Sequence, residues 1–146
     1  MKKKLFFFLF FCLFGAASID AQFEVKMSPF IPFAGVGTVS FEYGSNDEWG
    51  FDLMIIPFFD FFAVDVSARY YPGPDRGLDG AYVGPFLGTA TDIGVGIGFL
   101  VGFKRVWPTG VLMDASLGLG RSFNGGLLPF FKLELGYRFK SKKHSP

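Results

Sequence analysis

The sequence predicts an all-β protein built as an eight-stranded antiparallel up-and-down barrel. Three observations predict it. Side chains alternate between polar and apolar at every second residue in six separate stretches, turn-forming residues punctuate those stretches, and half the chain is apolar and a fifth aromatic, with 20 glycines. A period of two is the mark of a pleated strand, whose successive side chains leave opposite faces. Beyond the first residues no charge-free run reaches the roughly 18 to 20 residues of a spanning helix, and those at 80–91 and 93–103 fall well short of it.

Residues 1–21 read as a secretory signal peptide. Lys2, Lys3 and Lys4 form a positive start, Leu5 to Ala17 is an apolar run of 13 residues, and small residues lead to Ala21 as the last residue before cleavage. Cleavage there leaves 125 residues, the length of one domain. Cys12, the sole cysteine, lies inside the apolar run behind Phe10 and Phe11, so neither lipidation nor any cysteine chemistry in the mature chain is expected. Cleavage removes three of the 14 basic and one of the 13 acidic residues, leaving 11 and 12. Such a balance offers no basic field to nucleic acid. Lys140, Lys142 and Lys143 make residues 140–146 a solvated basic tail beyond a barrel domain of 22–139.

The strands follow in order, at 23–32, 36–44, 49–57, 60–71, 80–88, 92–106, 110–121 and 127–139. In the first, Glu24, Lys26 and Ser28 alternate with Phe23, Val25 and Met27. In the second, Thr38, Ser40 and Glu42 alternate with Val39, Phe41 and Tyr43. The third carries Asp52, and its alternation breaks at Met54, Ile55 and Ile56. In the fourth, Asp65, Ser67 and Arg69 oppose Val64, Val66, Ala68 and Tyr70. The fifth, around Tyr82–Leu87, could face either way. In the sixth, Asp92, Gly94, Gly96, Gly98, Gly102 and Lys104 oppose Ile93, Val95, Ile97, Phe99, Val101 and Phe103. In the seventh, Asp114, Ser116, Gly118 and Gly120 oppose Met113, Ala115, Leu117 and Leu119. In the last, Lys132, Glu134 and Arg138 oppose Phe131, Leu133, Leu135, Tyr137 and Phe139. Turn signals lie at 45–48, 72–75, 107–110 and 124–126. Pro29, Pro57 and Pro85 lack a backbone donor and belong at strand ends or beside bulges.

Alternation alone does not say which face meets water. A soluble lipocalin-like barrel turns its apolar face inward; a membrane barrel reverses this. An eight-stranded interior is barely wide enough for side chains. Glycines fit it, whereas the six bulky side chains from Ile93 to Phe103 would crowd it. Trp49, Tyr70, Tyr71, Trp107, Tyr137 and Phe139 stand near strand ends, where rings form the interfacial girdles at both edges of a membrane barrel. A strand of about 10 residues, tilted near 45°, crosses roughly 24 Å, close to an apolar band of about 25 Å. The sequence therefore predicts a transmembrane β-barrel.

The ending Tyr137-Arg138-Phe139 resembles the C-terminal assembly signal of Gram-negative outer-membrane barrels, with seven residues following it here. From Val66 to Phe139 the chain also resembles small outer-membrane β-barrel domains, in SARYYPG, GAYVGPFLG, GVGIGFLVGFKR, DASLGLGR and ELGYRF. That resemblance implies an eight-stranded barrel in the bacterial outer membrane, with outer-membrane lipid and the barrel assembly machinery as partners. It supplies no catalytic residues.

With polar faces inward, Glu24, Glu42, Asp52, Asp65, Asp114 and Glu134 share the lumen with Lys26, Arg69, Lys104, Lys132 and Arg138. They are expected to pair into a structural salt-bridge core with no solute channel, since unpaired ions between low-dielectric walls are costly. Arg69 and Arg138 are the expected hubs, because a guanidinium bridges several carboxylates. No catalytic, cofactor-binding or metal-ligating residue is expected. The sole histidine, His144, lies in the tail, away from Ser67 and Ser116, each expected to donate a hydrogen bond within the lumen. The glycines of 94–98 lie inside a strand, without the strand-turn-helix setting of a dinucleotide loop. The function that fits is an integral outer-membrane barrel with a structural or interaction role. The alternatives are a soluble periplasmic lipocalin-like barrel for an apolar ligand and, less favoured, a lipid-modifying barrel enzyme. An even strand number puts both chain ends in the periplasm, together with the long connection 72–79.

Overall fold

A computed structural model describes residues 22–29, 37–58, 61–73, 77–91 and 94–139. They form eight strands: β1 Gln22–Met27, β2 Val39–Gly44, β3 Trp49–Phe58, β4 Phe61–Tyr70, β5 Gly80–Ala90, β6 Gly94–Val106, β7 Val111–Ser122 and β8 Leu127–Phe139. Each pairs antiparallel with the next, and β1 pairs with β8 from Phe23↔Phe139 to Met27↔Leu135, so the sheet closes into a barrel. Closure joins β1 to the terminal part of β8, Leu135 to Phe139, so the sheet has no free edge at that mouth. Among the described residues there is no helix.

The alternating pattern accounts for most strand positions, and the differences have local causes. β1 stops at Met27, short of the expected residue 32; Ser28 N still donates to Thr38 O at 2.9 Å. Residues 30–32 of the expected first strand and residue 36 of the second lie outside the described residues. So do Asp92 and Ile93, the expected start of the sixth. β3 runs unbroken through Met54, Ile55 and Ile56, because the whole of β4 pairs alongside it from Trp49↔Tyr70 to Phe58↔Phe61.

The prolines divide. Pro29 follows β1, and Pro57 stands one residue from the end of β3. Pro85, expected at a strand end or bulge, is instead in the middle of β5, opposite Phe99 of β6. Its missing donor faces β4, where the ladder skips from Ser67↔Phe86 to Tyr70↔Val83 without a change of register.

The chain enters at Gln22 and leaves at Phe139, at the same mouth of the barrel. This terminal mouth also carries the β2–β3 and β6–β7 turns and residues 71–73 and 77–79. The far mouth carries the opposite ends of the strands, residues 28–29, 37–38 and 91, and the β7–β8 turn at 123–126. Outward side chains are apolar and exposed, among them Phe99 at 69%, Val101 at 58% and Leu117 at 59%. Inward positions hold six acids and five bases, all buried, together with Met54, Tyr82, Phe86, Leu100 and Leu112. Glycine makes room for the inward rings. A Cβ on Gly98 would lie 2.6 Å from Phe86 Cε1, and one on Gly102 would lie 2.5 Å from Tyr82 Oη.

The girdle aromatics are not shared between two rims. Trp49, Tyr70, Trp107, Tyr137 and Phe139 all gather at the terminal mouth, with Trp49 against Tyr70 (5.2 Å between centroids) and Tyr137 against Phe139 (5.1 Å). The outward aromatics toward the far mouth include Phe62 and Phe123. Tyr71, counted with the girdle, is instead fully buried inside the terminal mouth, because it continues the inward row of Asp65, Ser67 and Arg69.

Candidate functional site

Register explains why the interior is organised as it is. Pairing sets Glu24 beside Glu42 and Glu42 beside Asp52, while Asp114 stands beside Glu134. Like charges on neighbouring strands repel. The two acidic rows are compensated by bases on the same or the next strand, as in Lys132–Glu134, Lys26–Glu42, Arg69–Asp52 and Arg138–Glu24, and by bases from across the lumen, as in Lys26–Asp114, Arg69–Asp114, Lys104–Glu24 and Lys132–Asp52.

At the centre, Lys26 Nζ meets Glu42 Oε2 at 2.7 Å, Asp52 Oδ1 at 2.7 Å and Asp114 Oδ2 at 2.8 Å. Two of these contacts are hydrogen bonds, to Glu42 and Asp114, and the third, to Asp52, is an ion pair alone. Arg69 grips the same three carboxylates, with Nη1 to Glu42 at 2.9 Å and Asp114 at 2.7 Å and Nη2 to Asp52 at 2.8 Å. Toward the terminal mouth, Lys104 joins Glu24 at 2.8 Å and Glu42 at 2.9 Å. Arg138 donates to Glu24 through Nε at 2.7 Å and to the Leu78 carbonyl through Nη2 at 2.6 Å. On the other side, Lys132 holds Asp52 at 2.7 Å and Glu134 at 3.0 Å. Thr38 and Ser40 donate to Glu134 at 2.7 and 2.5 Å.

Tyrosines complete the set. Tyr71 Oη donates to Glu42 at 2.7 Å and Tyr82 Oη to Asp114 at 2.5 Å. The guanidinium of Arg69 lies 4.7 Å from the Tyr82 ring centre, and Lys104 Nζ lies 4.9 Å from that of Tyr71. Both are cation–π distances. Sequence reasoning missed Tyr71 and Tyr82 as members of this network. A count of two from Arg69 points Tyr71 inward, so that signal was present; for Tyr82 the flanking residues carry none.

Ten of the eleven residues expected to pair in the lumen are joined in this way: Glu24, Lys26, Glu42, Asp52, Arg69, Lys104, Asp114, Lys132, Glu134 and Arg138. Asp65 is the exception. It is buried yet enters none of the ion pairs, and its Oδ1 has no hydrogen-bond partner among the described residues. Its strand neighbours are Met54 and Gly88, which offer it no charge. Ser67 accepts from Arg69 Nε at a long 3.4 Å rather than donating. Ser116 Oγ is buried without a partner among the described residues, again unlike the donor role expected of it.

Comparison of the chain with protein-family models, with curated proteins and with solved structures finds no match. The chemistry open to the site is therefore read from its geometry. The carboxylates at the centre are paired with ammonium and guanidinium groups. Among the described residues no group of three His, Cys, Asp or Glu side chains is placed to hold a metal ion. An arrangement of this kind braces the barrel from within.

Proposed function

We propose that the chain is an integral outer-membrane β-barrel protein with a structural or interaction role and a lumen closed to solutes. The observation that carries this reading is the sense of the two faces. Side chains at 50–70% exposure on the outside include Ile97, Phe99, Val101, Leu117, Leu119 and Phe131, while Glu24, Lys26, Glu42, Arg69, Lys104, Asp114 and Glu134 are at 0% inside. Soluble monomers rarely expose contiguous apolar surface beyond a few hundred Å². A lipocalin-like barrel for an apolar ligand needs the opposite arrangement. Closure of the sheet also supports it, because hydrocarbon requires backbone groups to be paired internally and the eight antiparallel ladders pair most of them.

Residues 1–21 would direct export and be removed near Ala21, and the partners would be outer-membrane lipid and the assembly machinery that inserts barrels. The ring of Trp49, Tyr70, Trp107, Tyr137 and Phe139 supports placing the terminal mouth at one lipid–water boundary. With both described termini there, that boundary is the periplasmic one. Periplasmic turns are short as a rule. Residues 77–79 act as a plug in this mouth: Leu78 is fully buried in it and its carbonyl accepts from Arg138. The side-chain filling and this plug favour a lumen that passes no solute.

Membrane fractionation tests the reading. The protein is expected in the outer-membrane fraction, extractable only with detergent, and to migrate differently on electrophoresis before and after heating. Recovery in the aqueous periplasmic fraction without detergent would overturn it.

A further inference from the structure

We propose that the far mouth of the barrel is a binding site for a small organic ammonium ion, with Asp65 as its counter-ion. The inference goes beyond the structural role above and does not depend on where the barrel resides. It starts from charge. Six acids and five bases are buried inside. All five bases are engaged, and five of the acids with them. The sixth acid, Asp65, is 6% exposed and holds an unpartnered Oδ1. A buried carboxylate without a partner is expensive to maintain.

Among the described residues no base is left inside the lumen to offer it. The charges that reach Asp65 from packed elements are those of Asp52, Lys132 and Arg69. Lys132 is held by Asp52 at 2.7 Å and by Glu134 at 3.0 Å. Arg69 is held by Asp52 at 2.8 Å and by Asp114 at 2.7 Å. Arg121, near the far end of β7, stands on the exposed outer face with Leu117 and Leu119. The described residues between strands at this mouth, 28–29, 37–38, 91 and 123–126, include no Lys, Arg or His.

Space completes the argument. Asp65 lines a cavity of about 150 Å³ at this mouth, walled by Met54, Ile56, Phe86, Leu128 and Phe130. That is the liquid volume of about five waters, room for an ammonium group bearing about four carbons. The head group would make a charge-assisted hydrogen bond to Asp65. Its CH₂ groups would pack on Met54 and Leu128. The neighbouring rings of Phe86 and Phe130, 5.4 Å apart, would present π-faces to the cation. A neutral solute would leave the carboxylate uncompensated, and calcium would require several more oxygen ligands than one aspartate.

The test uses the full barrel refolded in detergent micelles at mildly alkaline pH. It is titrated with n-butylammonium chloride and, in parallel, with n-butanol, and followed by methyl NMR. The Met54 methyl resonance is expected to shift saturably with the ammonium and not with the alcohol. Asp65→Asn, which keeps the side chain's shape, is expected to weaken the response by about tenfold or more, the loss of one charge-assisted contact. The proposal is overturned if the wild-type barrel gives no saturable shift, or responds alike to alcohol and ammonium. It also fails if Asp65→Asn, folded by the same heat-dependent migration, binds the ammonium as tightly. The comparison of the two solutes on the wild-type protein stands even if the variant does not fold.

Discussion

At the terminal mouth, Tyr71, Leu78 and Arg138 close over Glu24 and Glu42, and each carboxylate there is met by at least one cation. At the far mouth, Asp65 sits among Met54, Phe86 and Phe130 beside an open cavity, with no cation bound to it. The same strands build both ends, so strand chemistry does not make the difference. Connections and register do. The terminal mouth receives Tyr71 and Leu78, which fold inward, and bases from β6 and β8 reach it. The bases nearest to the far mouth, Lys132 and Arg69, are drawn back toward the acidic rows at the centre. Register decides whether a buried acid meets a base on its own strand, the next one or the opposite wall, and among the described residues it brings none to Asp65.

The strongest way to break this comparison is to remove an acid from the satisfied end. Glu42 accepts from Lys26, Arg69, Lys104 and Tyr71. Glu42→Gln leaves those donors in place with their shared charge gone, and losing one partner of a buried pair costs about 3–5 kcal/mol. Equilibrium unfolding by urea in micelles or vesicles is expected to show a loss of that size. A change near zero would mean the central network does not brace the barrel.

Outer-face substitutions give the next effect, and on the proposed membrane reading it depends on depth. Val101 lies near the middle of β6 and Val95 one residue from its far end, and both are exposed. If the outer face meets hydrocarbon, Val101→Arg is expected to cost about 2–4 kcal/mol and Val95→Arg about 0–1 kcal/mol, by the same unfolding measurement in vesicles. Equal and small costs at both positions would point to water on that face. Smaller again is the plug. Leu78→Ala is expected to cost about 2 kcal/mol, the low end for a buried leucine, because a loop can settle into the space. Were the terminal mouth not packed by Leu78, the variant would unfold with the wild type.

The difference between the mouths also marks what the sequence could disclose. Strand identity and the inward set of ions were legible, because a period of two is a local property of the pleat. Lys26, Lys104 and Glu134 reveal their direction through their immediate neighbours. Partnership is not local. Lys26 reaches Asp114 across 88 residues of chain, and Arg138 reaches Glu24 across 114. These contacts depend on how far each strand slides against the next as the barrel closes, which no window of ten residues encodes. Asp65 therefore reads in the sequence like Asp114, with the same alternation around it, although the one is unpaired and the other is shared by Lys26 and Arg69. The apolar inward residues were hidden for another reason. Leu100 stands between Gly98 and Gly102 in a strand where apolar residues abound, so nothing in the pattern separates it from its outward neighbours.

The smallest expected effect is the sharpest discriminator between the two ends. Asp65→Asn removes a carboxylate charge, as Glu42→Gln does, but at a position with no bound cation to strand. Burying a lone ion is unfavourable, so neutralising it is expected to leave stability unchanged or raise it by up to about 1 kcal/mol in the absence of ligand. Urea unfolding of the two variants side by side compares the mouths directly. A loss for Asp65→Asn as large as that for Glu42→Gln would show that Asp65 is paired in solution, and the two ends would then be satisfied alike. Opposite signs would establish that this barrel keeps one mouth electrostatically closed and the other one positive charge short.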